Sequence, residues 1–142
     1  MQSAVLILLV EDEHLIAMSV QEALEDGGYL VRALASGSDA VSALDDAGNQ
    51  ICALITDIRL GIGPDGWDVA RHARELSPTL PIVYMSGDSS HEHSARGVPD
   101  SLMIQKPFAP VQIVTAISTL LNAVATSPTG PAQGPEGIDR AT

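Results

Sequence analysis

Ala53-Leu54-Ile55-Thr56-Asp57 is a short apolar run that ends in a carboxylate, and a loop from Gly61 to Gly66 follows before a helical pattern begins. A run of this length and composition reads as a strand buried on both faces of a parallel sheet. Core packing gives no reason for an acid at its end. The carboxyl end of a central strand in an open α/β sheet is, however, where such sheets bind ligands. Asp57 is therefore read as a nucleophile, and the rest of the chain must supply what a carboxylate nucleophile needs.

Working outward, Val5 to Val10 is a second doubly buried strand, closing in Glu11-Asp12-Glu13. Ile16, Val20, Ala23 and Leu24 then recur at helical spacing until Gly27-Gly28 stops the pattern. Tyr29 to Leu34 reads as a short strand, and Ser36 as the N-cap of a helix carrying Ala40, Val41 and Leu44 that ends near Gly48. After the Asp57 strand, a helix from about Trp67 to Leu76 turns Val69, Ala70 and Ala73 inward. Ile82 to Ser86 is a fourth buried strand, Ser89 to Arg96 a short polar helix, and Ser101 to Gln105 a fifth strand leading to Lys106-Pro107-Phe108. Pro110 suits the first position of a last helix, whose core stripe is Ile113, Ile117, Leu120, Leu121 and Val124. From Ser127 onward Pro and Gly dominate, the composition of a disordered tail.

Strands alternating with helices predict an α/β fold, a doubly wound five-stranded parallel sheet. Right-handed crossovers and the order 2-1-3-4-5 place the first and third strands side by side at the switch point. The expected organisation is one domain over residues 1–126 followed by the tail at 127–142.

Composition narrows the function. The net charge of −11 repels phosphate backbones and argues against nucleic-acid binding. No apolar run approaches the roughly 18 residues of a membrane span, and the N-terminus lacks a signal-peptide pattern. A lone cysteine, Cys52, fits a reducing cytoplasm and is expected to pack as a small hydrophobe at the start of its strand. Lys106 is the only lysine.

With the first and third strands adjacent, Glu11, Asp12 and Asp57 converge at one rim. Carboxylates that close need a cation to stay ionised, and Mg²⁺ suits such an oxygen set. The fourth and fifth strands bring Ser86 and Lys106 to the same rim, where a hydroxyl and an ammonium would hold a tetrahedral anion. That set specifies phosphoryl transfer onto Asp57, with Lys106 and Ser86 on the phosphoryl oxygens.

The ordered motifs Val10-Glu11-Asp12, Thr56-Asp57, Asp65-Gly66, Met85-Ser86-Gly87 and Gln105-Lys106-Pro107-Phe108 resemble those of the receiver domain of bacterial two-component response regulators, over about Val5 to Val124. The resemblance implies the flavodoxin-like receiver fold, with Asp57 as phosphoacceptor, Asp12 as a direct Mg²⁺ ligand, Glu11 acting through water and the Arg59 carbonyl as a further ligand. It also implies Ser86 as the switch hydroxyl, Lys106 as the phosphate-binding lysine, and a cis peptide at Lys106-Pro107. The phosphoryl group would come from a sensor histidine kinase or a histidine phosphotransfer protein. The chain then reads as a stand-alone cytoplasmic regulator that turns over no free metabolite and is no enzyme in that sense. Its output would be a surface around the fourth and fifth strands and the last helix. The alternatives are a receiver module of a hybrid kinase, a flavodoxin-type cofactor binder and an Asp-dependent phosphohydrolase. The last two fit poorly, given Glu11-Asp12-Glu13 after the first strand and Arg59 two places beyond Asp57.

Three features depart from the family pattern. The loop after Asp57 lacks the usual proline and is one residue longer before Gly66. The position three before the lysine, ordinarily aromatic, is Met103, and Tyr84 on the adjacent strand is the candidate replacement. Arg59 and Asp88 could pair across the mouth of the site. Glu13 reads as a helix-dipole acid, His91 and His93 as solvated, and Trp67 as a packing residue near Asp57. No charge occurs between Pro107 and Pro135. The last helix thus carries a weakly polar outer face of Gln112, Thr115, Ser118, Thr119 and Asn122, suited to a homodimer or a downstream partner.

Overall fold

The computed structural model of the protein describes residues 4–47, 50–88 and 90–126. The expected tail at 127–142 lies outside them. The described elements are β1 (Leu6–Val10), α1 (His14–Asp26), β2 (Leu30–Leu34), α2 (Gly37–Ala47), β3 (Ala53–Asp57), α3 (Gly66–Leu76), β4 (Ile82–Ser86), α4 (His93–Arg96), β5 (Leu102–Gln105) and α5 (Pro110–Thr126). A single 3₁₀ turn, Ser90–Glu92, leads into α4. The five strands form one sheet in the order β2-β1-β3-β4-β5, with every neighbouring pair parallel. This is the predicted topology.

Burial follows strand position. All residues of the central strands β3 and β4 are buried, whereas the edge strands β2 and β5 mix exposed and half-buried residues with none fully buried. Successive side chains point to opposite faces, so the core is two layers. Leu8, Val10, Leu54, Ile82 and Tyr84 pack on one face with Ala40 and Leu44 of α2 and Trp67, Val69, Ala70 and Ala73 of α3. Ile7, Leu9, Ile55, Val83 and Met85 pack on the other with Val20 and Leu24 of α1 and Ile113 and Ile117 of α5. Each fully buried Leu or Ile stabilises the fold by about 1.5–3 kcal/mol of transfer free energy.

Helix ends follow local chemistry. Gly27 donates to the Ala23 and Leu24 carbonyls at the end of α1, and Gly28 continues the turn at φ +96°, a conformation other residues adopt with strain. Ser36 Oγ accepts the Asp39 N–H at 3.1 Å, capping α2 as expected. The helix expected from Trp67 starts one residue earlier. Asp65 and Asp68 form a reciprocal capping box, which satisfies two orphan donors at that end. Lys106-Pro107 is cis.

Other expectations need correcting. Val124 is 43% exposed, because the last turn of α5 runs over an open groove beside Pro78, Pro81 and Leu102 and not over the sheet. Ser118 is half-buried, hydrogen-bonded to the Tyr29 hydroxyl at 2.7 Å and so not part of an outward face. Cys52 is half-buried, and its backbone N–H, donating to the Leu6 carbonyl at 2.8 Å, ties the chain entering β3 to β1. Among the described residues no helix is long and apolar enough to cross a membrane.

Candidate functional site

The register carries the acids of β1 and β3 to one edge. Val10 lies opposite Thr56, so the residues just beyond them, Glu11 and Asp57, meet at the carboxyl end of the sheet. Asp57 in turn lies opposite Met85, and Ser86 opposite Gln105, which sets Ser86 and Lys106 on the same rim. A cavity of about 490 Å³ there is lined by Asp12, Glu13, Asp57, Arg59, Ser86, Gly87, Asp88 and Lys106.

Asp57 is only 6% exposed. Its Oδ1 accepts the Ile58 N–H at 2.8 Å, and its Oδ2 lies 3.1 Å from Lys106 Nζ. The main chain at this point is equally constrained. The Thr56 hydroxyl donates to the Asp57 carbonyl at 2.8 Å. Gly66 packs so closely that a Cβ on it would stand 2.1 Å from the same carbonyl. That close approach explains the Asp65-Gly66 pair: the aspartate caps α3 and the glycine lets its first turn lie against the strand tip.

Lys106 Nζ also lies 3.0 Å from Glu11 Oε1 and 3.4 Å from Glu13 Oε1. Glu13 is thus more than a dipole acid. It stands at the N-cap position of α1 with no side-chain cap of its own, and its exposed carboxylate reaches the lysine. Burial, then the negative charge of Asp57, pushes the Glu11 carboxyl up to about 7. Burial works against the Lys106 ammonium, but Glu11 and Asp57 outweigh it and raise its pKa.

One carboxylate oxygen from each of Glu11, Asp12 and Asp57 falls within 4.8 Å of the others. Glu11 Oε1 is buried without an aligned hydrogen-bond donor. An all-oxygen trio of this kind suits a hard divalent cation that keeps several waters. The trio is the predicted one. Arg59 lines the cavity, but its guanidinium turns to Asp88, with Nε 3.0 Å from Oδ1 and both side chains well exposed. The Ser86 hydroxyl is buried and accepts the Asp88 N–H at 3.3 Å.

Tyr84 is fully buried two residues before Ser86 on β4. Its hydroxyl accepts the Val98 N–H at 3.1 Å, its ring lies 4.7 Å from that of Trp67, and it pairs across the sheet with Met103. Burial raises its pKa. His93, expected to be solvated, is half-buried with its ring edge-on to Tyr84 and Nε2 2.9 Å from Ser101 Oγ. The capping box of α3 was missed from sequence, although Asp65 and Asp68 three apart carry its signal. The reach of Glu13 to Lys106 was not legible, since the two are remote in sequence.

The response regulator receiver domain family matches residues 7–118. The chain is similar in structure to a response regulator receiver protein from Sinorhizobium medicae WSM419, with a TM-score of 0.82 and 46% identity over 85% of this chain and 97% of that one. Among curated proteins it is 29% identical over 118 residues to the sensor kinase CckA of Brucella abortus, covering 81% of this chain and 12% of the kinase. It is 29% identical over 120 residues to the response regulator SaeR of Staphylococcus aureus, covering 81% of this chain and 50% of SaeR. The chain thus spans half or less of the length of these two curated relatives.

Proposed function

The chain belongs to the response regulator receiver domain family, and on that premise we propose that it accepts a phosphoryl group on Asp57 and switches a protein-binding surface. The observation that carries this reading is the meeting of Lys106 with Asp57 and Glu11 at 3.0–3.1 Å in a recess lined also by Asp12 and Ser86. In the transfer, the P–N bond of a phosphohistidine donor breaks as a P–O bond to an Asp57 oxygen forms, and the imidazole leaves. Bound by Glu11, Asp12, Asp57 and the Arg59 carbonyl, Mg²⁺ would neutralise the carboxylates and the phosphoryl oxygens they would otherwise repel. Lys106 passes from the free carboxylate to a phosphoryl oxygen, and the Ser86 hydroxyl donates to another. No free metabolite is turned over.

The donor is a sensor histidine kinase or a histidine phosphotransfer protein. An apolar groove of about 550 Å³ lined by Leu15, Ile16, Val20, Pro107 and Phe108 includes Lys106 and so borders the phosphorylation site. It offers such a partner a seat. The output runs through β4. Phosphorylation adds roughly −1.5 to −2 charge at one point and draws Ser86 inward. Tyr84 shares the face of β4 with Ser86 and carries the movement through its bond to Val98, in the segment that leads into β5. α5 is uncharged and exposes Val111, which suits a downstream partner or a second copy of the chain.

Trp67 emission tests the reading, because its indole lies against Tyr84. Mg²⁺ with beryllofluoride changes the emission of the wild-type protein and leaves Asp57→Asn unchanged. Equal responses, or none, would contradict it.

A further inference from the structure

Ile62 is 98% exposed, the most exposed of the large apolar side chains described. It sits at the tip of the loop between β3 and α3, flanked by Gly61 at φ +77° and Gly63 at φ +98°. These are backbone conformations that glycine adopts without strain. The loop is held on both sides of this tip. Leu60 is buried in the core, and the Gly66 N–H donates to the Ile58 carbonyl at 2.8 Å. The Pro64 carbonyl is wedged so tightly on Gly37 that a Cβ there would stand 2.0 Å away. The loop that leaves the Asp57 strand tip therefore holds one isoleucine in water, between anchors at Leu60 and Pro64.

We infer that Ile62 is a docking anchor for the protein that delivers phosphate to Asp57, filling an apolar depression beside that partner's phosphohistidine. The inference rests on Asp57 being the phosphoacceptor. At 6% exposure Asp57 lies in a recess, so a histidine carried on a folded partner reaches it only when the partner's surface settles on the rim. On the Lys106 side, the rim meets the apolar groove of Leu15, Pro107 and Phe108. On the opposite side, it runs through Arg59 into the loop that carries Ile62. A downstream partner bound at α5 has no such need to cover this edge. The loop is anchored on both sides of Ile62, so covering that side chain adds apolar burial at the cost of ordering one residue and its flanking glycines. In protein interfaces a few well-packed, desolvated side chains carry most of the binding energy.

Transfer rates from two donors test the assignment. Phosphoramidate has no protein surface; the other donor is the autophosphorylated sensor kinase of the host that labels the wild-type chain fastest. The full-length chain is compared with Ile62→Ser and Ile62→Leu, each checked for an unchanged melting curve. Ile62→Ser is expected to label from phosphoramidate at the wild-type rate and to lose about tenfold in kcat/KM with the kinase. Ile62→Leu is expected to restore most of that loss. Wild-type transfer from the kinase to Ile62→Ser overturns the inference, and so does an equal loss with both donors, which would place Ile62 in the chemistry. If neither donor labels the wild-type chain, the phosphoacceptor reading falls and takes the inference with it.

Discussion

Gly66→Ala tests how closely the site depends on the fold. A Cβ at this position would stand 2.1 Å from the Asp57 carbonyl oxygen and 2.8 Å from Ile58 Cα, where ordinary contact begins at 3.4 Å. Both are main-chain atoms, so no flexible side chain can swing aside. Either the tip of β3 or the first turn of α3 must retreat by about 1 Å. Overpacking of this kind costs about 1–3 kcal/mol. The retreat also strains the Gly66 N–H bond to the Ile58 carbonyl, 2.8 Å in length, worth about 1 kcal/mol. The better helix propensity of alanine offsets at most about 1 kcal/mol. The net expectation is a loss of about 1–3 kcal/mol in urea unfolding. Labelling of Asp57 by phosphoramidate should slow by up to about a hundredfold, since a reacting group displaced by about 1 Å loses that much. Gly87→Ala is the control: a Cβ there meets nothing within 4 Å, and its stability should stay within about 0.5 kcal/mol of wild type. A Gly66→Ala protein with wild-type stability and labelling would refute the claim that glycine is needed for this close approach.

Tyr84→Phe strands the Val98 N–H in a buried position and should cost about 1–3 kcal/mol by denaturant titration; a neutral result would mean water replaces the hydroxyl. The same variant has a pH signature. Because burial raises the Tyr84 pKa in the folded protein, wild-type stability is intact below about pH 10 and falls as pH rises through the unfolded value toward the folded one. Tyr84→Phe should flatten that fall in the urea midpoint, and an unaltered slope would contradict it. Arg59→Ala and Asp88→Asn each break the exposed pair across the mouth. Both should leave stability within about 0.5 kcal/mol while shortening the phosphoryl lifetime several-fold, measured by decay of labelled protein. Unchanged decay in both would remove the pair from the account.

Much of the fold was legible because the central strands are apolar throughout and end on chemistry-bearing residues. Ala53 to Asp57 and Ile82 to Ser86 have the bounds the pattern implies, and the topology rules for parallel sheets then fix which tips are neighbours. Element ends were read less sharply. β1, β2 and β5 each start one residue later than expected, since strand ends carry a weaker apolar signal than strand centres. Val124 fits the helical period of α5 but lies past the part of the helix that covers the sheet, and a period cannot say where a neighbour ends. The acid trio was legible from its motifs. The contact of Glu13 with Lys106, the coupling of His93 to Ser101 and the projection of Ile62 depend on loop paths that local sequence does not encode.

The central claim is that Asp57 carries the phosphoryl group. Intact-mass analysis of the full chain after incubation with phosphoramidate and Mg²⁺, followed by borohydride trapping and peptide mapping, tests it most directly. The account predicts the added mass of a single phosphoryl group, mapped to Asp57, absent from Asp57→Asn and abolished by chelation of the metal. A chain that never gains that mass, or gains it undiminished when Asp57 is replaced, would contradict it.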